Sequence, residues 1–105
     1  WEIGVLWNED ERLARPVIRA LEERGLAVGD NEPYSGRDPH GYTLHHHAEP
    51  PGHAHVLFEI RQDLIDTHRG AVAWGDRLAP ILAERLADPA IHEPFVSPTR
   101  AAGGR

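Results

Sequence analysis

Three groups of residues in this 105-residue chain have the types and spacing to do chemistry. The first is Glu59, which stands in the run Val56-Leu57-Phe58-Glu59-Ile60. A carboxylate inside an otherwise apolar strand is expected to have lost water. Desolvation favours its neutral form and tunes such a group toward general acid/base work. If the run is a central strand, its carboxyl end is also where open α/β sheets place ligands. The competing reading is a structural ion pair with Arg61 or Arg37.

The second group is the histidines, 8 in all, with His45, His46 and His47 consecutive. Neutral imidazole ligates zinc well, and His40, His45 and His47 come within reach of each other if the segment is compact. Successive residues on a helix point about 100° apart, so at most two of the triplet can share one ion. A surface cluster without metal is the alternative. The third group is the stretch Asp30-Asn31-Glu32-Pro33-Tyr34-Ser35-Gly36-Arg37. Arg37 can clamp a carboxylate in a two-pronged grip, and Asn31 or Tyr34 can hydrogen-bond it. The same polar groups can equally satisfy one another in an ordered loop.

The elements that must position these residues alternate between strand and helix. Residues 1–7 read as a strand ending at Asn8. Asn8 with Glu11 resembles a capping box, and Glu9, Asp10 and Glu11 suit the positive end of a helix dipole. Leu13, Val17 and Leu21 recur at helical spacing. Pro16 predicts an irregular turn over residues 8–15 and regular helix only from there. Gly25 supplies the stop, and residues 26–28 suit a short edge strand. Residues 29–41 are rich in glycine, proline and polar side chains and form a loop. Residues 42–49 suit one short helix. Residues 53–60 are the strongest strand, and apolar side chains on both faces predict a central strand covered by helices on each side. A turn or short helix over 61–67 leads into a helix over 70–87, with a kink or a break near Asp76 ahead of Pro80. From residue 88 onward, three prolines and a small-residue run predict a poorly ordered tail. The fold class is α/β, a partial mixed or parallel sheet flanked by helices.

Composition narrows the partners. With 17 acidic against 11 basic side chains and a formal charge of -6, the chain is poorly suited to phosphate backbones. No apolar run approaches the length of a membrane span. The absence of cysteine leaves any metal to nitrogen and oxygen ligands.

Asp30-Asn31-Glu32-Pro33-Tyr34-Ser35-Gly36, then Gly41-Tyr42-Thr43, His47-Ala48 and Phe58-Glu59-Ile60-Arg61-Gln62-Asp63-Leu64-Ile65, strongly resemble the N-formylglutamate amidohydrolase family. The likeness runs from about residue 1 to residue 86. The family is related to the zinc carboxypeptidases and aspartoacylases, so the resemblance implies a zinc hydrolase fold. It also implies metal-assisted hydrolysis of an N-formyl amide to formate and glutamate, in cytoplasmic histidine degradation. Glu59 matches the general base of those relatives. Asn31, Tyr34 and Arg37 are expected to meet the substrate's carboxylates, with Arg61 bracing the strand end through Asp63 or a neighbouring acid.

In that family two histidines and a glutamate hold zinc upstream of the matching segment, and nothing in this chain corresponds to them. Residues 1–87 are therefore expected to be the C-terminal portion of such an enzyme, inactive alone, with residues 88–105 as tail. A sheet lacking strands would expose an edge and favour self-association. Two alternatives stand beside this reading: a hydrolase of the same superfamily acting on another N-acyl amino acid, and a non-catalytic, histidine-rich metal-binding or interaction module.

Overall fold

A computed structural model describes residues 1–32 and 51–96. Strand β1, Ile3–Leu6, is buried at all four positions. It pairs in parallel with β2, Val28–Asp30, and antiparallel with β3, Leu57–Ile60. The sheet order is β2-β1-β3. The fold is thus a small α/β arrangement on a mixed sheet, with β1 rather than β3 in the middle. The expectation that residues 53–60 form the central strand is corrected: among the described residues β3 is an edge, paired with β1 alone.

Helix α1, Ala14–Glu23, joins β1 to β2. Its N-cap is Leu13, with no side-chain cap hydrogen bond, so the capping box expected at Asn8 and Glu11 does not form. Pro16 falls in the first turn, where a missing N–H costs nothing because no intrahelical acceptor faces it. At the other end Gly25 adopts a φ of +79°. Its N–H donates to the Glu22 carbonyl (2.9 Å) and that of Leu26 to the Leu21 carbonyl (3.3 Å), which closes the last turn as a Schellman motif.

Helix α2, His68–Leu86, is capped by Thr67, whose hydroxyl accepts from the Gly70 N–H at 3.0 Å. It runs through Pro80 as one helix, so of the kink or break expected near Asp76 no break occurs. A proline in a helix interior costs about 3 kcal/mol. Burying Trp74 and Ile81 on either side of it returns a comparable amount, roughly 1.5–3 kcal/mol each.

Ile3 and Val5 share one buried cluster with Leu13, Val17, Ile18 and Leu21 at α1 and with Trp74 and Ile81 of α2, and Phe58 and Ile60 pack at its margin. Helix α1 packs against β1, and α2 against α1. No helix among the described residues is long and apolar enough to cross a membrane.

Residues 88–96 also depart from expectation. Asp88 caps a 3-10 turn, Pro89–His92, which buries Ile91 in the same core. Arg12 ties this segment down. Its guanidinium forks onto Asp10 (3.0 Å from Nε to Oδ1 and 3.0 Å from Nη2 to Oδ2) and donates to the carbonyls of Gly52 (3.1 Å), Ala90 (3.3 Å) and Glu93. It also lies 5.7 Å from the Phe95 ring centroid, within cation–π range. The Asp10 side chain is only 3% exposed, so removing its partner strands a buried charge. Arg12→Ala is expected to lower stability by about 2–4 kcal/mol, and Arg12→Lys to recover little, since an ammonium cannot reproduce the fork. Urea unfolding at pH 7 measures this, and a loss under about 1 kcal/mol would mean that water replaces the guanidinium at no real cost.

Candidate functional site

Glu59 faces Gly4 across the antiparallel pair. Two pairs further out, Glu2 and Arg61 are linked by the Arg61 N–H donating to the Glu2 carbonyl at 3.0 Å. By strand alternation Gly4 and Glu59 are then also a hydrogen-bonded pair, and their outward substituents share one face of the sheet. That face is the one turned away from the helices, and Glu59 is exposed there. The expected desolvation of this carboxylate is therefore corrected. It sits at an edge, on the face that neither helix covers, and burial supplies no argument for its chemistry.

Position does supply one. Glu59 lines a cleft of about 330 Å³ together with Trp1, Gly4, Ile60 and Arg61. Arg61 forks onto Asp63, with Nε to Oδ1 at 2.6 Å and Nη2 to Oδ2 at 3.2 Å. The hydrogen bond from Arg61 holds the Asp63 carboxyl below the usual carboxylate range, and the reciprocal bond raises Arg61. Both side chains are more than half exposed, so the pair orients the arginine more than it stabilises the fold.

Asn31 lies elsewhere. It adopts φ +55°, a left-handed conformation that asparagine tolerates better than most residues. Its N–H donates to the Val5 carbonyl (2.9 Å), and its Oδ1 accepts from the Trp7 N–H (2.8 Å). Asn31 follows β2, on the other side of β1 from Glu59, and two inter-strand spacings put roughly 10 Å between their backbones. Because β3 runs opposite to β1 and β2, its carboxyl end also lies at their amino ends, whereas Asn31 sits at their carboxyl ends. The sheet thus brings Glu59 and Arg61 together and holds Asn31 apart. Tyr34, Arg37, His40, His45, His46, His47 and the short helix expected over residues 42–49 lie outside the described residues.

A cluster at the carboxyl ends of β1 and β2 escaped the sequence reading. Asp30 accepts from Trp7 Nε1 and from Arg15 Nη1, both at 2.7 Å, while Arg15 also reaches Glu11 at 3.1 Å and lies 5.6 Å from the Trp7 ring centroid. The 11/15 spacing was visible as a helical ion pair. The meeting of Trp7 with Asp30 depends on strand register and had no local signal. Partial burial alone would raise the Asp30 carboxyl, but the hydrogen bonds from Trp7 and Arg15 and the arginine charge outweigh it and hold Asp30 below its ordinary value.

With this geometry in place, the comparisons put the chain among the hydrolases. More narrowly, it belongs to the N-formylglutamate amidohydrolase family, whose family model matches residues 1–66. The fold is similar to the crystal structure of a gene product from Agrobacterium tumefaciens, with a TM-score of 0.75 and 36% sequence identity, covering 82% of this chain and 34% of that one. This chain therefore spans about a third of that protein's length. No curated protein matches it.

The zinc implied by the resemblance finds no set of ligands here: among the described residues no three histidine, aspartate or glutamate side chains are grouped to hold a metal ion. The described residues do not fit the group, and no step is routed through it.

The Asp30 cluster yields a pH dependence. A carboxyl depressed in the folded state stabilises above its unfolded pKa, about 3.9, and loses that contribution as the pH falls through the lower folded value. With 40% of the Asp30 side chain and 33% of Arg15 exposed, solvent screening limits the effect to about 0.5–1 kcal/mol at pH 7. Denaturant titration of wild type and Asp30→Asn should show that gap closing progressively below about pH 4. A gap that does not change with pH would show that the carboxylate charge contributes nothing.

Proposed function

We propose that this chain forms part of an amidohydrolase that cleaves N-formyl-L-glutamate to formate and L-glutamate, with Glu59 as the group that moves the proton. The observation that carries the reading is the cleft: Glu59 and Arg61 line one opening on the helix-free face, within the segment that the family model matches. A carboxylate standing on a hydrogen-bonded strand has a fixed backbone and a side chain reachable by small molecules, the two conditions a general base must meet.

In the proposed reaction a water oxygen forms the new bond to the formyl carbon as Glu59 takes a proton from that water. The C–N bond then breaks, and Glu59 returns the proton to the departing amine. Water and amide are consumed, and formate and the free amino acid result. Arg61, held by Asp63, forms a wall of that cleft and gives it a positive charge suited to an anionic substrate. Asn31, Tyr34 and Arg37 remain proposed substrate contacts. Asn31 could serve only from the far side of β1, and its Oδ1 already accepts from Trp7. A zinc requirement is part of the proposal for the complete enzyme, with ligands outside the residues described.

In the complete enzyme, Glu59→Gln is expected to lower kcat on N-formyl-L-glutamate by about 10²–10⁴-fold with KM changed only a few-fold, the signature of a lost proton-transfer group. Circular dichroism of the variant should match wild type. Turnover within tenfold of wild type would remove Glu59 from the mechanism. Chelation should abolish turnover and added zinc restore it; activity that survives thorough chelation would contradict the metal requirement.

A further inference from the structure

Beside Glu59 the grip on an anionic substrate cannot come from Asn31, which stands on the far side of β1. Arg61 is the one arginine lining that cleft among the described residues. Its backbone is fixed from two directions. Its N–H donates to the Glu2 carbonyl (3.0 Å), and its carbonyl accepts from the Leu64 N–H (3.0 Å), which closes the 3-10 turn Gln62–Leu64. That turn brings Asp63 alongside the guanidinium, where it accepts from Nε at 2.6 Å and from Nη2 at 3.2 Å. These two nitrogens form the side edge of the guanidinium. The five N–H groups of an arginine lie in one plane, so a carboxylate on the side edge leaves the end edge, one hydrogen each from Nη1 and Nη2, directed away from it. No acceptor among the described residues takes the Nη1 hydrogens.

Resting on the reading of Glu59 given above, we infer that Arg61 is the clamp for a substrate carboxylate and Asp63 its positioning residue: Asp63 holds the side edge, and the end edge grips the substrate with two hydrogen bonds. The pair adds little stability, because both side chains are more than half exposed. Its effect is on binding. An arginine that turns freely loses rotamer freedom when a ligand orders it, and one already held by Asp63 loses less. Glu59 and Arg61 are two positions apart on the ladder, about 6.6 Å along an extended chain. A substrate whose carboxylate sits on the clamp therefore has the bond to be cut within a few bond lengths of the base. An anion entering beside Glu59 also meets a like charge, which the guanidinium offsets. A lysine ammonium has no planar fork and cannot serve two carboxylates in this way. The α- and γ-carboxylates of glutamate offer the same chemistry, and the test separates them.

The test uses the complete enzyme, with kcat, KM and thermal midpoint recorded separately on N-formyl-L-glutamate and on its α-amide and its γ-amide, each lacking one carboxylate. Wild type is expected to lose about tenfold or more in kcat/KM on at least one amide. Arg61→Met and Arg61→Lys should each raise KM on N-formyl-L-glutamate by about tenfold or more with kcat changed only a few-fold, and Asp63→Asn should raise it by a smaller factor. All three penalties should shrink to about threefold or less on the amide that lacks the clamped carboxylate, which identifies that carboxylate. A merely structural pair would weaken turnover of all three substrates alike. Wild-type kcat/KM within about threefold on both amides overturns the inference without needing any variant to fold. So does an Arg61→Met penalty equal on every substrate, or an Arg61→Lys enzyme with wild-type KM. The reading of Glu59 fails separately, through Glu59→Gln with normal turnover. If wild type does not turn over N-formyl-L-glutamate at all, calorimetric titration of wild type and Arg61→Met with L-glutamate reads the clamp directly. Affinity about tenfold weaker in the variant supports it, and equal affinity or no binding overturns it.

Discussion

Everything in this fold depends on β1 being hydrogen-bonded along both edges. Four residues must satisfy donors and acceptors toward β2 on one side and β3 on the other while remaining fully buried. A parallel partner requires a crossover, and α1 supplies it. That crossover places α1 over the face bearing Ile3 and Val5, α2 packs beside it, and the core gathers there. The opposite face carries Gly4, Leu57, Glu59 and a fully buried Leu6. The location of the candidate site is thus a consequence of where the helices went.

Two polar clusters hold the strand ends and the flanking segments. Arg12 with Asp10 joins the entrance to α1 to the turn at Gly52 and to residues 90–95. Asp30 with Trp7 and Arg15 joins the ends of β1 and β2 to the first turn of α1. Neither is a source of large stability where it is exposed. Each restricts geometry, because a forked arginine accepts few arrangements of its partners. Around a short sheet, such restraints fix how the segments beyond the strands meet, while the β1–β3 ladder itself keeps Glu59 in register.

The case for Glu59 accordingly changes in kind. A desolvated carboxylate in a doubly covered strand would have carried its own chemical argument. The exposed carboxylate seen here does not, and its candidacy rests on the cleft it shares with Arg61 and on the family to which the chain belongs. The separation of Asn31 from Glu59 has the same origin. Asn31 follows β2 and Glu59 stands on β3, with β1 between the two strands.

The sequence by itself determined the local elements and their faces. The helical spacing of Leu13, Val17 and Leu21, the stop at Gly25, the alternation of Phe58 and Ile60 against Leu57 and Glu59, and the family motif around Glu59 are all written in neighbouring residues. These signals are read from contacts a few positions apart. Only the tertiary structure decided that β1 is central and β3 lies at the edge of the described sheet, that α2 runs through Pro80, that residues 88–96 pack, and that Trp7 meets Asp30. Those outcomes turn on strand order, register and burial between distant segments. Apolar composition cannot distinguish a strand covered on both faces from one covered on a single face, because the number of apolar residues does not say what will stand on each side of them.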